Sequence, residues 1–456
     1  MRTPPDGLPR LLRPAQLGGI GREGASANAE TPRSLLAEHL ERHGPIPFRG
    51  RATRGEGMLI DSVERAGLTG RGGAGFPAAR KMRAVLANGR AVSGGRGRAV
   101  VVANGVESEP LSAKDRSLLA TSPHLVLDGI SLAAETVGAG EACLCVADED
   151  GLLGRLRDAV AARGQDGCDA TPIRVVGVPA GYVASEESAL VHLLNGGPAV
   201  PLFVPPRPFA KGVKGRPTLV SNVETLAHIA LIARYGPGWF RNVGTGAAAG
   251  STLITVAGAV RAPGVLEIAL GTAMRDVLAL AGGPAEPPQA ILAGGYFGGW
   301  LRAASALDLP VSGPDLRAAG ASLGAGVLAV LPESACGIAE TARVARYLAG
   351  QSAGQCGPCV NGLPAIADAL EHIASRGRDA RPHRWLVELF GLVEGRGACH
   401  FPNAVVRLVE TTLRVFSRDL REHLRRGSCV RVGRRGVLPA PGLGPRHGER
   451  VCGARR

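Results

Sequence analysis

A chain of 456 residues, 45% of them hydrophobic, has enough apolar side chains for several packed domains, and this composition excludes a largely disordered protein. The formal net charge is +14, but nine arginines and one acidic residue between Arg425 and Arg456 supply more than half of it. Only 4% of the residues are aromatic, which leaves few rings to stack on bases. We therefore expect no nucleic-acid binding.

No apolar stretch approaches the ~20 residues that a membrane-spanning helix needs. The N-terminus contains arginine and proline but lacks the apolar segment of a signal peptide. We therefore expect a cytoplasmic protein without direct membrane insertion. The nine cysteines are odd in number and irregularly spaced, which argues against a disulfide framework.

The first half of the chain is predicted to contain an α/β domain. Residues 1–30 are expected to form a flexible leader, and a helix is predicted over Thr31–His43. Between residues 31 and 245, apolar strands alternate with helical stretches, which favours a sheet covered by helices. The predicted strands are Ala99–Ala103, Ala142–Ala147 and Ile173–Val178, and the later predicted helices are Ala78–Asn88, Pro123–Val137, Glu186–Leu194 and Val223–Tyr235.

The second half is predicted to contain a small β-grasp domain over residues 250–325, followed by a four-helix bundle over 335–425. Strands at Thr252–Gly258, Gly264–Ile268 and Ala290–Ala293, with a short helix at Ala273–Leu280, indicate the β-grasp domain. A strand at Gly326–Leu331 precedes helices predicted at 338–350, 359–375, 384–392 and 402–425. Residues 426–456 form a basic tail, rich in glycine and proline, that is expected to be disordered.

A glycine-rich loop, GLTGRGGAGFP, occupies residues 67–77. Its glycines allow the backbone to approach a ligand closely, and a helix follows, so the loop is a candidate phosphate cradle. It lacks the G-K-[ST] ending of a Walker A motif.

Cysteines mark a second candidate site. Cys356 and Cys359 form a C-x-x-C pair within QSAGQCGPCVNG, residues 351–362, and Cys399 follows 40 positions after Cys359. Such a pair serves zinc, haem, redox and iron–sulfur chemistry alike. We interpret Cys429, in the basic tail, as incidental.

These motifs carry a resemblance to one family. Together with ANGVESEPLSAKDR (103–116), GYVASEESAL (181–190) and KGVKGRPTLVSNVETL (211–226), the glycine-rich loop resembles the flavin- and NADH-binding segments of the NADH-oxidising flavoprotein subunit of respiratory complex I, in the same order. The run at 351–362 resembles the S-C-G-x-C-x-P-C loop that holds a [4Fe–4S] cluster there, and residues 250–283 resemble that family's soluble-ligand-binding β-grasp (SLBB) domain. The resemblance extends from about residue 33 to about residue 425.

The resemblance implies an NADH dehydrogenase-like oxidoreductase, in which NADH gives a hydride to FMN and single electrons continue to an iron–sulfur centre. Other redox subunits or a ferredoxin are the implied partners, and a peripheral position on a membrane complex is compatible with the resemblance. Two alternatives stay open: an FMN protein that uses a donor other than NADH, such as a ferredoxin, and a non-catalytic scaffold that retains the fold.

Site residues are implied position by position. Lys81 would hold the FMN phosphate with the loop glycines, Phe76 would stack on the adenine of NADH, and Glu109 would stand near the nicotinamide. Glu109 and Glu187 are the candidate catalytic residues. The full cofactor-binding set consists of Gly70, Gly72, Gly73, Phe76, Lys81, Asn104, Glu107, Tyr182, Glu186, Glu187, Ser221 and Asn222.

The cluster motif departs from the family pattern at one ligand. Its first cysteine is Ala353 here, so Cys356, Cys359 and Cys399 are the implied metal ligands. Four outcomes are open: a [4Fe–4S] cluster completed by His400, Cys336, water or an external thiol; a [3Fe–4S] cluster; zinc; or no metal.

The dinucleotide-binding segments also depart from the family pattern. Val106 replaces an aspartate, Ala84 replaces an aromatic residue, and Val204 and Arg207 replace a lysine and a phenylalanine that help to bind NADH. Ser185 replaces the glycine of a G-E-E triplet. We therefore expect weak NADH binding beside a nearly intact phosphate cradle.

Overall fold

The computed structural model describes residues 7–12, 31–47, 58–91, 98–376, 381–429, 431 and 436–442. Most of the predicted leader and most of the basic tail lie outside the described residues. Within the described part of the chain, none of the helices combines the length and the apolar character needed to cross a membrane.

The strands are β1 (Ala99–Gly105), β2 (Ala139–Ala147), β3 (Ile173–Val178), β4 (Thr218–Asn222), β5 (Ser251–Gly258), β6 (Gly264–Ala269), β7 (Pro288–Ala293), β8 (Gly299–Arg302) and β9 (Val327–Pro332). The helices of the first domain are α1 (Pro32–His43), α2 (Met58–Ala66), α3 (Ala78–Ala91), α4 (Lys114–Thr121), α5 (Pro123–Val137), α6 (Leu152–Gln165), α7 (Glu187–Leu194) and α8 (Val223–Arg241). The later helices are α9 (Met274–Leu280), α10 (Ala303–Ala306), α11 (Gly313–Ala318), α12 (Gly337–Gly350), α13 (Leu363–Arg376), α14 (Arg381–Val393), α15 (Phe401–Val415) and α16 (Ser417–Arg426).

The first domain contains a parallel sheet whose strand order creates a crevice. The order is β3-β2-β1-β4, so the chain builds the sheet in one direction from β1 to β3 and then places β4 on the other side of β1. Ligands of open α/β sheets bind outside the carboxyl ends of the strands where the order reverses. Here that point lies between β1 and β4, where Asn104 and Asn222 are register partners. We call this region the β1/β4 crevice.

The second domain is a five-stranded mixed sheet with the order β6-β5-β9-β7-β8. Its central strand β9 pairs parallel to β5 and antiparallel to β7, so the sheet of the predicted β-grasp domain continues to Pro332, beyond residue 325. The short strand β8 was not predicted from the sequence. Trp300, on β8, is fully buried and donates its indole N–H to Thr341 of α12 at 3.1 Å, which joins this domain to the helices that follow.

The C-terminal helices α12–α16 form the third packed unit. The helix predicted over 402–425 is divided into α15 and α16 at Phe416, so the described residues contain five helices here instead of four. The Phe416 side chain is buried, and its ring packs edge-to-face on Trp300 with 5.3 Å between the ring centroids. The break therefore places an aromatic anchor between the helices and the β-grasp domain.

The described parts of both terminal segments are packed against the domains. Leu11 and Leu12, within the predicted leader, are buried, and Glu267 Oε2 accepts the backbone N–H of Leu11 at 2.8 Å. In the predicted tail, Leu438 is buried and donates its backbone N–H to Glu340 of α12 at 3.1 Å.

Candidate functional site

The glycine-rich loop lies at the mouth of the β1/β4 crevice. Gly73 and Gly75 have φ values of +109° and +63°, which side chains disfavour, so the turn depends on glycine at these positions. A Cβ atom added to Gly72 would lie 3.2 Å from Cβ of Asn222, so the loop backbone sits directly on the carboxyl end of β4. Gly70 closes the loop by donating its N–H to the Phe76 carbonyl at 2.8 Å.

Lys81 brings a positive charge to this loop. It lies in the first turns of α3, and its Nζ is 2.7 Å from Oε2 of Glu187, the first residue of α7. Both side chains are about one-third exposed or less, at 27% and 30%. The pair therefore links α3 to α7 while leaving the Lys81 side chain partly exposed to an anion.

Backbone bonds hold the predicted residues at the strand ends. Asn104 donates its amide to the Ser185 carbonyl at 2.8 Å and accepts the N–H of Val106 at 3.1 Å. Asn222 caps α8 by accepting the N–H of Glu224 at 3.0 Å. Ser221 precedes it on β4 and is half-buried, opposite Ala103 of β1.

The carboxylates of Glu186 and Glu107 accept hydrogen bonds from the N-termini of two helices. Glu186 accepts the N–H groups of Ser188 and Ala189 at 2.8 and 3.1 Å, which caps α7. Glu107 accepts the N–H groups of Asp115 and Arg116 at 3.2 and 3.1 Å at the start of α4. Both carboxylates stabilise helix starts at the crevice wall.

Glu109 lies in a buried pocket between the domains. Its Oε2 accepts the Tyr182 hydroxyl at 2.6 Å and the backbone N–H of Tyr296 at 2.8 Å. Burial raises the pKa of Glu109 to about 7, although its hydrogen bonds to Tyr182, Tyr296 and Leu111 oppose the shift. The structure thus places Glu109 against Tyr182 and the β-grasp domain.

A buried polar network beneath the crevice was not predicted as part of the site. Lys114 Nζ lies 2.7 Å from Asp115 and 2.9 Å from Glu224, and Asp115 accepts the amide of Asn222 at 2.7 Å. Burial disfavours the charged form of Lys114, but the two carboxylates outweigh it and hold the pKa of Lys114 above its usual value. The segments that carry these residues were noted in the sequence, yet only the fold brings them together under Asn222.

The side of the crevice predicted to bind NADH carries two exposed aromatic rings. Phe76 is 48% exposed with the Arg80 guanidinium 5.5 Å from its ring centroid. Phe203, which was not among the predicted site residues, is 75% exposed. The Leu202 backbone binds Ser188 of α7, with 2.9 Å between Leu202 N and Ser188 Oγ, so Phe203 follows a point fixed beside the crevice.

Three residues on this side of the crevice differ from the family pattern: Val106, Ala84 and Arg207. Val106 is buried in an apolar cluster with Val102, Ala184 and Val220, where an aspartate would lack water. Ala84 is half-buried on α3, one turn beyond Lys81, and Arg207 is exposed.

The predicted cysteine ligands gather around the beginning of α13. Cys359 N–H donates to the Cys356 carbonyl at 3.0 Å in a short π-helical segment, Pro358–Gly362, of a kind often found at functional sites. Burial, with a smaller contribution from the adjacent thiols of Cys356 and Cys399, raises the pKa of Cys359 to about 12. Cys359 is buried, while Cys356 and Cys399 are half-buried. Ala353 packs against the apolar cluster of the helical domain.

Of the proposed fourth ligands, Cys336 lies elsewhere and His400 is exposed. Cys336 caps the N-terminus of α12, whereas the C-x-x-C loop follows the C-terminus of this 14-residue helix, which is about 21 Å long. Cys336 is therefore distant from the other three cysteines.

The crevice and the cysteine group share a wall. Tyr182 donates its backbone N–H to the side chain of Gln351, in the cysteine loop, at 3.2 Å. Its ring packs edge-to-face on Phe401 with 5.7 Å between the centroids, two residues beyond Cys399. Glu186 lies close enough to Cys399 to raise its pKa, an effect additional to that of burial.

The residues present fit the implied groups. At the crevice, a turn that requires glycine and an accessible ammonium group meet at the strand ends, as a flavin phosphate requires. At the cysteine group, three thiols converge, as an iron–sulfur cluster requires, although the fourth ligand position holds Ala353.

Comparison with known families identifies three consecutive domains in this chain. The model described as the Nuo51 FMN-binding domain matches residues 63–231, the SLBB domain matches 253–296, and the NADH-ubiquinone oxidoreductase-F iron-sulfur binding region matches 339–423. The predicted α/β FMN-binding domain, β-grasp domain and helical cluster-binding domain are confirmed in this order.

Relatives match nearly the whole chain. The F subunit of NADH-quinone oxidoreductase in Mycobacterium tuberculosis H37Rv is 30% identical over 407 residues, covering 84% of this chain and 88% of the relative. The protein of the same name in Aquifex aeolicus is 30% identical over 388 residues, covering 82% and 87%. Among solved structures, an NAD+-reducing [NiFe]-hydrogenase in the air-oxidised state superposes with a TM-score of 0.75 at 29% identity, covering 89% of this chain and 70% of that chain. The chain belongs to the family of the NADH-quinone oxidoreductase F subunits.

Proposed function

We propose that this chain oxidises NADH and passes the electrons through FMN to an iron–sulfur centre on Cys356, Cys359 and Cys399. The observation that carries the proposal is the shared wall between the two sites, in which Tyr182 contacts the cysteine loop and Glu186 lies near Cys399. An electron carrier in the crevice would therefore lie beside the acceptor site.

The phosphate end of FMN is assigned to the glycine-rich loop. Gly70, Gly72 and Gly73 let the backbone approach, and Lys81 supplies the charge while Glu187 holds its ammonium in place. Asn104 and Asn222, on neighbouring strand ends, would border the ring system and the ribityl chain. FMN, when bound, supplies the exchange between a hydride and single electrons.

Phe76 and Phe203 would bind the adenine ring of NADH by stacking. Tyr182 closes the opposite side, because its side chain is buried and its hydroxyl donates a hydrogen bond to Glu109. In this assignment Glu109 acts through Tyr182 as a positioning residue.

The cysteine group would hold a cluster on three thiolates. Burial keeps the Cys359 thiol protonated in the absence of metal, so assembly releases protons. With Ala353 at the fourth position, one iron would lack a protein thiolate and would be the first to be lost on oxidation.

The partners we propose are other redox subunits, because the relatives are named as subunits of NADH-quinone oxidoreductase. A second candidate function keeps FMN but takes electrons from another donor, such as a ferredoxin. The buried Val106 and the exposed Arg207 favour it, because both replace residues that help to bind NADH in the family pattern.

The test is an anaerobic titration of purified protein that has been loaded with FMN and iron. Flavin absorbance that NADH bleaches supports the proposal. Flavin that a reduced ferredoxin bleaches and NADH does not supports the second candidate, and in that case Val204→Lys, Arg207→Phe and Ala84→Phe together should restore bleaching by NADH. Protein that retains no flavin after gentle reconstitution contradicts both and leaves the non-catalytic scaffold.

A further inference from the structure

A buried group of three metal-binding side chains lies at the N-terminal end of α12. Cys336, His423 and Cys429 bring their ligand atoms within 4.8 Å of one another, and Cys336 Sγ is 3.3 Å from His423 Nε2. Within the described ranges, no other group of three or more His, Cys, Asp or Glu side chains gathers its ligand atoms this closely. The three residues come from the cap of α12, from α16 and from the segment after α16.

We propose that Cys336, His423 and Cys429 bind a zinc ion. A tetrahedral zinc with Zn–S of about 2.3 Å and Zn–N of about 2.0 Å places its ligand atoms roughly 3.5–3.8 Å apart, close to the spacing seen. Two thiolates and one imidazole form a soft donor set that suits zinc and does not suit magnesium or calcium. A four-iron cluster would need its ligands further apart, around a larger core.

The burial of His423 supports this assignment independently. Its side chain is fully buried, and within the described residues its Nδ1 makes no hydrogen bond. The backbone carbonyls of Ile373 and Ala374 lie beside its ring. Zinc on Nε2 would leave the proton on Nδ1, where these carbonyls could orient the ring, as partners of zinc-bound histidines commonly do.

The charges around the group balance when the metal is bound. Two thiolates neutralise Zn²⁺, and Asp419, one turn before His423 on α16, is already paired with Arg431 at 2.8 Å. Asp419 also accepts the amide of Gln289 at 3.0 Å. Because Asp419 is held by these partners and is not among the gathered ligand atoms, water would fill the fourth zinc position.

The zinc would have a structural role. It would tie Cys429, in the segment after α16, to the start of α12, and its binding energy would contribute to the folding of this end of the helical domain. The site is separate from the cysteine group of the proposed cluster, since α12 lies between them.

The experiment measures zinc and iron by elemental analysis in full-length protein that was purified anaerobically after growth with both metals. We expect about one zinc per chain in the wild type, and loss of zinc without loss of iron in Cys336→Ser, His423→Ala and Cys429→Ser. Cys356→Ser should lose iron and keep zinc. Cys143→Ser, at a buried cysteine on β2, is the matched control and should keep both.

A second measurement keeps the test valid if a variant fails to fold. Wild-type protein loaded with cobalt in place of zinc should show a thiolate-to-cobalt charge-transfer band and the visible bands of tetrahedral cobalt. Wild-type protein without zinc or a cobalt band, zinc that persists in both His423→Ala and Cys429→Ser, or a Cys336–Cys429 disulfide in anaerobic protein would each overturn the proposal.

Discussion

The β1/β4 crevice and the cysteine group lie on one proposed electron path, but substitutions have affected them differently. In the crevice, the phosphate side consists mainly of backbone and of side chains bound to backbone, such as Asn104 and Asn222. In the cysteine group, each proposed ligand is a side chain, and Ala353, where the family pattern has a cysteine, has no atom that could bind a metal. A phosphate cradle made mainly of backbone would thus tolerate substitutions around it, whereas the proposed cluster site loses a ligand with each cysteine that is replaced.

The largest expected effect separates the two sites completely. Gly72→Val should abolish FMN binding, because the new side chain would press on Asn222, where a Cβ alone would already come within 3.2 Å. Flavin absorbance after reconstitution measures the loss, and iron content should stay at the wild-type level. Gly89→Val, on α3 with open space around its Cβ position, is the control and should keep its flavin.

If Gly72→Val retained stoichiometric flavin, the loop would not be the phosphate cradle. If it lost iron together with flavin while remaining folded, the two sites would not be independent.

The next effect concerns Glu109, which accepts a hydrogen bond from Tyr182 between the two sites. Burial raises the pKa of Glu109 to about 7, above its usual value of 4.5, so the folded protein binds an extra proton between these pH values. This extra proton stabilises the folded protein fully below pH 4.5. As the pH rises through 7, the free energy of unfolding falls by up to about 3 kcal/mol. Glu109→Gln should become more stable relative to the wild type as the pH rises from about 5 to about 8.

Chemical denaturation of both proteins at several pH values measures this difference. If the free energies of unfolding of the wild type and of Glu109→Gln changed with pH in the same way, the carboxyl group would ionise as readily in the folded protein as in the unfolded chain.

A smaller effect is expected from repair of the cysteine group. Ala353→Cys should lengthen the lifetime of the iron–sulfur absorbance in air by about tenfold, because it supplies the missing thiolate. Ala365→Cys, at another partly buried alanine of the helical domain, is the control and should leave the lifetime unchanged. Equal lifetimes for Ala353→Cys and the wild type would mean that another ligand already completes the site.

The smallest expected effect concerns the dinucleotide side of the crevice. Phe203→Ala should weaken NADH binding by about tenfold, since stacking contributes roughly 1–3 kcal/mol per ring, while FMN binding stays unchanged. Leu280→Ala, which removes an exposed apolar side chain from the β-grasp domain, is the control. NADH titration of the flavin absorbance provides the dissociation constant, and equal values for Phe203→Ala and the wild type would exclude this ring from the site.

The sequence predicted the domains and the two motif sites because those features lie in continuous runs of residues. The glycine loop and the C-x-x-C pair each fit within a dozen residues, and the apolar strands β1–β3 stand out by composition. The helix break at Phe416 was missed because the helical pattern continues across it, and β8 was missed because it has only four residues.

Features that depend on distant residues could not be predicted. Lys114 and Glu224 are 110 positions apart, and Cys336 and His423 are 87 positions apart, so no spacing motif links either pair. The hydrogen bond from the Tyr296 backbone to Glu109 likewise joins residues 187 positions apart, in different domains. Cys429 was interpreted as incidental, and only the folded structure places it beside Cys336.

Glu267 has a practical consequence for anyone who trims this protein. Its buried carboxylate accepts the backbone N–H groups of Arg10 and Leu11, both at 2.8 Å, and the Ser251 hydroxyl at 2.7 Å. A shortened version that begins at Pro32 would remove the backbone donors of residues 10–12, and among the described residues only the Ser251 hydroxyl is then seen to donate to this buried acid. Residues 7–12 thus supply the hydrogen-bond donors of a buried carboxylate, and expression vectors for this protein should encode them.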